Sequence, residues 1–92
     1  MMPSQIAEKR LEASCFEVMR EISRAVEKHG YGRTPLSTDM GDASKLIILV
    51  EEVGEVARAL TYDNADFEGL KSELIQVATM ALAWHASLEG PA

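Results

Sequence analysis

The chain has 92 residues, a formal net charge of −6 and one cysteine. That length holds one domain, residues 1–92, at most. The acidic balance argues against nucleic acid as a partner, and with no apolar run long enough for a bilayer, no membrane role is expected.

Hydrophobic residues make up 47%, mostly Ala, Leu, Val, Ile and Met, with only two Phe, two Tyr and one Trp. That mixture suits helices more than a sheet. Cys15 cannot pair internally and falls on the apolar spacing of the first segment, which predicts a small buried thiol. With a polar start and no apolar leader, a reducing cytoplasm is the expected setting.

Ser4 is a candidate cap for a long amphipathic helix from Gln5 to about His29. Ile6, Leu11, Cys15, Val18, Ile22, Ala25, Val26 and His29 recur there at threes and fours. Gly30 is a natural helix stop. A polar loop follows through Gly41, longer than most connections and so either functional or mobile. The second helix starts between Asp39 and Ser44 and runs to about Thr61. Tyr62, Asp63 and Asn64 make a turn. The third helix, capped by Asn64 or Asp66, runs to about Leu88.

The second helix carries the first constellation, KLIILVEEVGEVARAL over 45–60. At about 100° per residue, Leu46, Leu49, Val50, Val53, Val56, Ala57 and Leu60 share one broad face. Glu52 and Glu55 project side by side at its edge, and Glu51 turns further toward solvent. Like charges at this spacing cost the helix a few tenths of a kcal/mol, roughly, and a cation between them would reverse the cost. A solvated charged edge is the plainer reading.

The third helix carries the second. With Glu73 at zero on the wheel, Leu70, Val77, Met80, Ala81, Trp84 and Leu88 fall within about 80° of it. A carboxylate on an apolar stripe needs a partner: either a base such as Arg58 or Lys45, or a metal. Gln76 lies beside Glu73. Two helices packed antiparallel would set Glu52 and Glu55 against Glu73 and Gln76.

EEVGE at 51–55 followed by ELIQ at 73–76 resembles the MazG-like nucleotide pyrophosphohydrolases of the all-α NTP pyrophosphohydrolase superfamily. Their signature is EExxE, a spacer, then ExxD on the next helix. The likeness covers Lys45 to Trp84. It implies hydrolysis of a nucleoside triphosphate to monophosphate and pyrophosphate with Mg²⁺, or Mn²⁺, as cofactor. Glu52, Glu55 and Glu73 would be metal ligands with Gln76 in the fourth place, and Glu51 and Glu52 the catalytic carboxylates. The one departure is Gln76, where the family has aspartate; an amide can touch a metal but carries no charge. Three readings follow. The site works with fewer metals, Glu51 or a residue of another subunit compensates, or the fold persists without the chemistry.

Lys45, Lys71 and Arg58 are candidate phosphate contacts, with Arg33 in the loop. His29 and His85 read as structural. The expected fold is all-α, three main helices in a small antiparallel bundle completed by a homodimer or homotetramer, as the family forms. The alternative to the enzyme is a non-catalytic helical oligomer that binds nucleotides or proteins.

Overall fold

The computed structural model describes residues 3–61 and 67–89. These form three α-helices and one short 3-10 turn, with no strand among the described residues. None of the helices is long and apolar enough to cross a membrane.

Helix α1 spans Pro3–His29. Pro3 occupies the start, where its missing N–H would have no intrahelical partner anyway. Ser4 therefore lies inside the helix rather than capping it. Gly30 ends α1 at φ 84°, with its N–H on the Val26 carbonyl at 2.9 Å. The next segment is not the loose loop its length suggests. A 3-10 turn, Tyr31–Arg33, is closed by Thr34, whose N–H and hydroxyl both donate to the Tyr31 carbonyl. Thr34, Pro35 and Ser37 are buried.

Helix α2 spans Asp42–Thr61 and α3 spans Phe67–Glu89. The expected turn at Tyr62–Asn64 and the caps at Asn64 or Asp66 lie outside the described residues. The two helices are antiparallel. Near one end Trp84 Nε1 donates to Asp42 at 2.9 Å, and Lys45 Nζ donates to the Ser87 hydroxyl at 2.6 Å. Toward the other end Glu52 senses the charge of Glu73. By contrast, α1 runs parallel to α3, since Glu21 meets Gln76 and Ala25 shares a groove with Met80.

Helix α3 is the common wall. It packs on both neighbours, whereas α1 and α2 make no close backbone contact with each other among the described residues. Its buried positions are Thr79, Ala83 and Ser87, one every four residues. A line of small side chains at that spacing runs along one face of a helix and lets a neighbour approach closely.

Two expected faces turn inward only in part. On α2 the inward line is Lys45, Ile48, Glu52, Val56 and Ala59, while Leu46, Val50, Val53 and Leu60 are each at least half exposed. On α1 the C-terminal half of the expected face turns inward, with Val18 buried and Ile22, Ala25 and Val26 half-buried, whereas Ile6 and Leu11 face solvent and Cys15 is exposed, not a core thiol; Phe16 and Met19, off that face, are exposed as well. The molecule is correspondingly open. Its accessible surface is 6868 Å², against about 5,300 Å² for a compact monomer of this mass. Its radius of gyration is 14.7 Å, against about 12 Å for a compact domain.

The Thr79 hydroxyl is buried without a hydrogen-bond partner. An orphaned hydroxyl costs about 1–3 kcal/mol, and the isosteric Val removes it. Thr79→Val is expected to raise stability by about 1 kcal/mol in chemical denaturation, with no change in helical circular dichroism.

Candidate active site

A groove lies between α1 and α2 with α3 as its floor. Its cavity is about 260 Å³. Helix α1 contributes Glu21, Arg24 and Lys28, α2 contributes Ile48 and Glu52, α3 contributes Gln76 and Met80, and Arg33, Thr34 and Pro35 close one end. Apolar walls, two acids and several cations thus share one small space.

Glu52 is the carboxylate that the fold turns inward. It sits on the inner line of α2 and is half-buried. Its pKa is raised, first by desolvation, then by the charges of Glu73, Glu55 and Glu51. Glu73 is also half-buried, on α3, beside the half-buried Gln76. Glu51 and Glu55 are exposed on the shoulders of the same helix. Among the described residues, no cation forms a salt bridge with Glu52 or Glu73. The fold therefore gathers like charges and leaves them uncompensated, an arrangement that an external cation would relieve.

The donor set suits a hard cation, because every candidate ligand is oxygen. It is not a preformed cage. Among the described residues, no three His, Cys, Asp or Glu side chains converge closely enough to hold a metal ion as they stand. Mg²⁺ is usually held by one or two carboxylates together with waters and substrate phosphates. Glu52 and Glu73 are half-buried carboxylates on helices that pack together, and Glu55 is exposed beside them.

Gln76 is engaged across the groove floor. Its Nε2 donates to Glu21 Oε1 at 3.0 Å, from one helix to another. Glu21 also accepts from Arg24, whose Nε lies 3.1 Å from Oε2 and which closes a salt bridge on Oε1. These bonds hold the Glu21 carboxyl below the usual carboxylate range, the Arg24 bond first and the Gln76 bond next. Beyond this contact lies a second hollow of about 240 Å³, lined by Glu17, Arg20, Glu68, Lys71 and Ser72.

The expected phosphate contacts fare differently. Lys45 is buried and spent on Ser87, at the C-terminal turn of α3, where unpaired carbonyls carry partial negative charge. It does not line the groove. Arg58 lines a shallow hollow with Gly54, Ala57 and Thr61, away from the groove. Lys71 is exposed, 3.7 Å from Glu68 and over the Phe67 ring, in the second hollow. Arg33 does line the groove, and so does His29, which sequence alone reads as a helix-end residue. Glu21, Arg24 and Lys28 went unnoticed because an i, i+3 acid–base pair on a polar helix face looks like ordinary surface. The one available signal was the position of Lys28 on the turn just before the Gly30 stop, beside the loop.

No family model, no curated protein and no solved structure matches this chain.

The raised Glu52 pKa has a sign. A carboxyl whose folded pKa exceeds its unfolded value penalises folding when ionised. The penalty is complete above the raised value and fades as pH falls through it toward the ordinary carboxylate value. Glu52→Gln, without added metal, is therefore expected to raise the melting temperature at pH 7 by about 1–4 °C, from roughly 0.2–0.5 kcal/mol of relieved repulsion. The gain should vanish near pH 4. A gain that grows on acidification would contradict the assigned environment.

Proposed function

We propose that this groove hydrolyses a nucleoside triphosphate to the monophosphate and pyrophosphate, in the manner of the MazG-like pyrophosphohydrolases that the sequence resembles. The observation that carries it is Glu52, turned inward on α2 toward Glu73 of α3 and, among the described residues, without a salt bridge to a cation. Glu52 and Glu73 hold the cation, with Glu55 and the Gln76 carbonyl beside them. A bound Mg²⁺ or Mn²⁺ supplies neutralisation of the phosphates and polarisation of a phosphoryl oxygen. Glu51, on the exposed shoulder next to Glu52, holds the attacking water and takes up its proton. Water adds at the α-phosphorus, the bond to the bridging oxygen breaks, and pyrophosphate leaves with that oxygen. Arg24, Lys28 and Arg33 take the phosphate role expected of Lys45, Arg58 and Lys71, because they line the same groove as Glu52.

Product analysis tests this. With NTPs and dNTPs in Mg²⁺ or Mn²⁺, monophosphate and pyrophosphate should form at equal rates, and Glu52→Gln should lower turnover at least a hundredfold. Lys28→Ala and Arg33→Ala should each raise KM about threefold to tenfold with a smaller effect on kcat, as expected for exposed cations that bind ground and transition states alike. Wild-type silence across the panel would sink the reading.

One observation favours a second reading, a non-catalytic nucleotide-binding or interaction module. Gln76 removes a charge, and no three carboxylates close on a metal site among the described residues. Turnover by Gln76→Asp, but not by wild type, would select it.

The open surface supports a homodimer or homotetramer as part of the same proposal. The excess of about 1,600 Å² over a compact monomer is in the range one protomer contributes to an obligate interface. Leu46, Val50, Val53 and Leu60 on α2, with Leu11, Phe16 and Met19 on α1, form the apolar area available for it. Light scattering on a sizing column should give at least twice the protomer mass of 10.1 kDa. A monomer at micromolar concentration would overturn the assembly.

A further inference from the structure

We propose that one face of the α2–α3 pair seats a second copy of this chain, so that the two pairs form a four-helix bundle with α1 and the groove outside it. The inference rests on the assembly read above and narrows it to a single face. On α2, Leu46, Val50, Val53, Ala57 and Leu60 alternate at four and three residues, and all are exposed. On α3 the same alternation runs through Leu74, Ala78, Ala81, His85 and Leu88, again all exposed. Mostly apolar residues recurring about every 3.5 positions form the seam along which bundled helices interlock. Gly54 and Ala57 leave a hollow beside the α2 seam, a hole into which a facing side chain fits.

The two seams lie on the same side of the pair. Lys45 and Glu52 on α2, with Ser87 and Glu73 on α3, mark where the two helices meet. At about 100° per residue, each seam is turned a little more than a quarter of a circle from its own meeting line. Both turns have the same sense when each helix is viewed from its N-terminus. Because the helices are antiparallel, equal turns bring the seams to one side. Ser72, Ile75 and Gln76 of α3, which meet α1 or share a hollow with it, are turned the other way. Helix α1 and the groove therefore stand on the opposite side, and each protomer keeps its groove whole.

The occupant is a second copy because it must be present wherever the chain is folded. Among the described residues the buried apolar side chains are Val18, Ala59 and Ala83, a small core for three helices. Leu46, Val50, Val53, Leu60, Leu74 and Leu88 are meanwhile each at least half exposed. The surface exceeds that of a compact monomer by about 1,600 Å². A permanent interface takes about 1,000 Å² or more from each protomer. Glu51 and Glu55 are turned away from the α2 seam, so two chains of net charge −6 meet there without opposing those carboxylates. His85, the polar member of the α3 seam, lies 3.6 Å from Glu89 of its own helix.

Thiol protection tests the face. Cys15, exposed on α1 outside the contact, is the internal reference. Val53→Cys and Ala81→Cys, each in a Cys15→Ser chain, put a small thiol on one seam apiece. Under native conditions maleimide should label either about tenfold or more slowly than it labels Cys15 in the wild type, and all three should react alike in denaturant. On a sizing column with light scattering, Val53→Glu should halve the particle mass, and Phe16→Glu on α1 should leave it unchanged. If Val53→Glu fails to fold, the conservative thiol variants still decide. Fast labelling of either seam in a dimer would overturn this face and leave the assembly standing. Fast labelling in a monomer would overturn both and free the face for a different partner. Dissociation to monomers by Phe16→Glu would move the contact to α1 and overturn the inference. None of these readouts depends on turnover, so they stand apart from the hydrolase.

Discussion

Helix α3 is the element against which both of the other helices pack. The two outer helices make no close backbone contact with each other among the described residues, while both pack on the central one. Close approach on one side depends on the small buried line Thr79, Ala83 and Ser87. Larger side chains at those positions would push the neighbour outward, because packed interiors do not yield to added volume without strain. The groove follows from this constraint. Two helices held apart by a third leave a trough above it, and the inner line of α2 and the last two turns of α1 face each other across that trough.

The electrostatics follow from the same placement. Glu52 and Glu73 occupy positions that the fold partly desolvates, and the nearest buried cation, Lys45, is taken by the C-terminal end of α3. A long ammonium chain there meets the Ser87 hydroxyl and the negative end of a helix, so it has no need of a carboxylate. The acids stay uncompensated for that reason. Arg33 and Lys28 line the same groove as Glu52, so the groove carries charges of both signs.

Gln76 shows how one contact changes the meaning of a residue. By itself an amide in place of an acid reads as lost charge. Here its amide donates to Glu21, a carboxylate on a helix with no glutamate motif of its own. Helix faces make such pairs hard to foresee. The i, i+3 relation of Glu21 to Arg24 is local and visible in the chain, whereas the relation of Glu21 to Gln76 spans 55 positions and exists only once α1 lies parallel to α3.

The sequence by itself determined that there are three helices, close to where each begins and ends, and that Glu52 and Glu73 belong to neighbouring antiparallel helices. Those features depend on local periodicity and on stop signals such as Gly30, which act within a few residues. The sequence did not determine which face of α2 turns inward. Leu46, Leu49, Val50, Val53, Val56, Ala57 and Leu60 mark an apolar stripe, yet the inward line is Lys45, Ile48, Glu52, Val56 and Ala59, with only Val56 in common. Periodicity identifies residues that leave water at a cost saved, not the surface that covers them. Only the tertiary structure places Lys45 against Ser87, Arg58 in a separate hollow, and Glu21, Arg24 and Lys28 in the groove with Glu52, because each depends on which helix stands opposite.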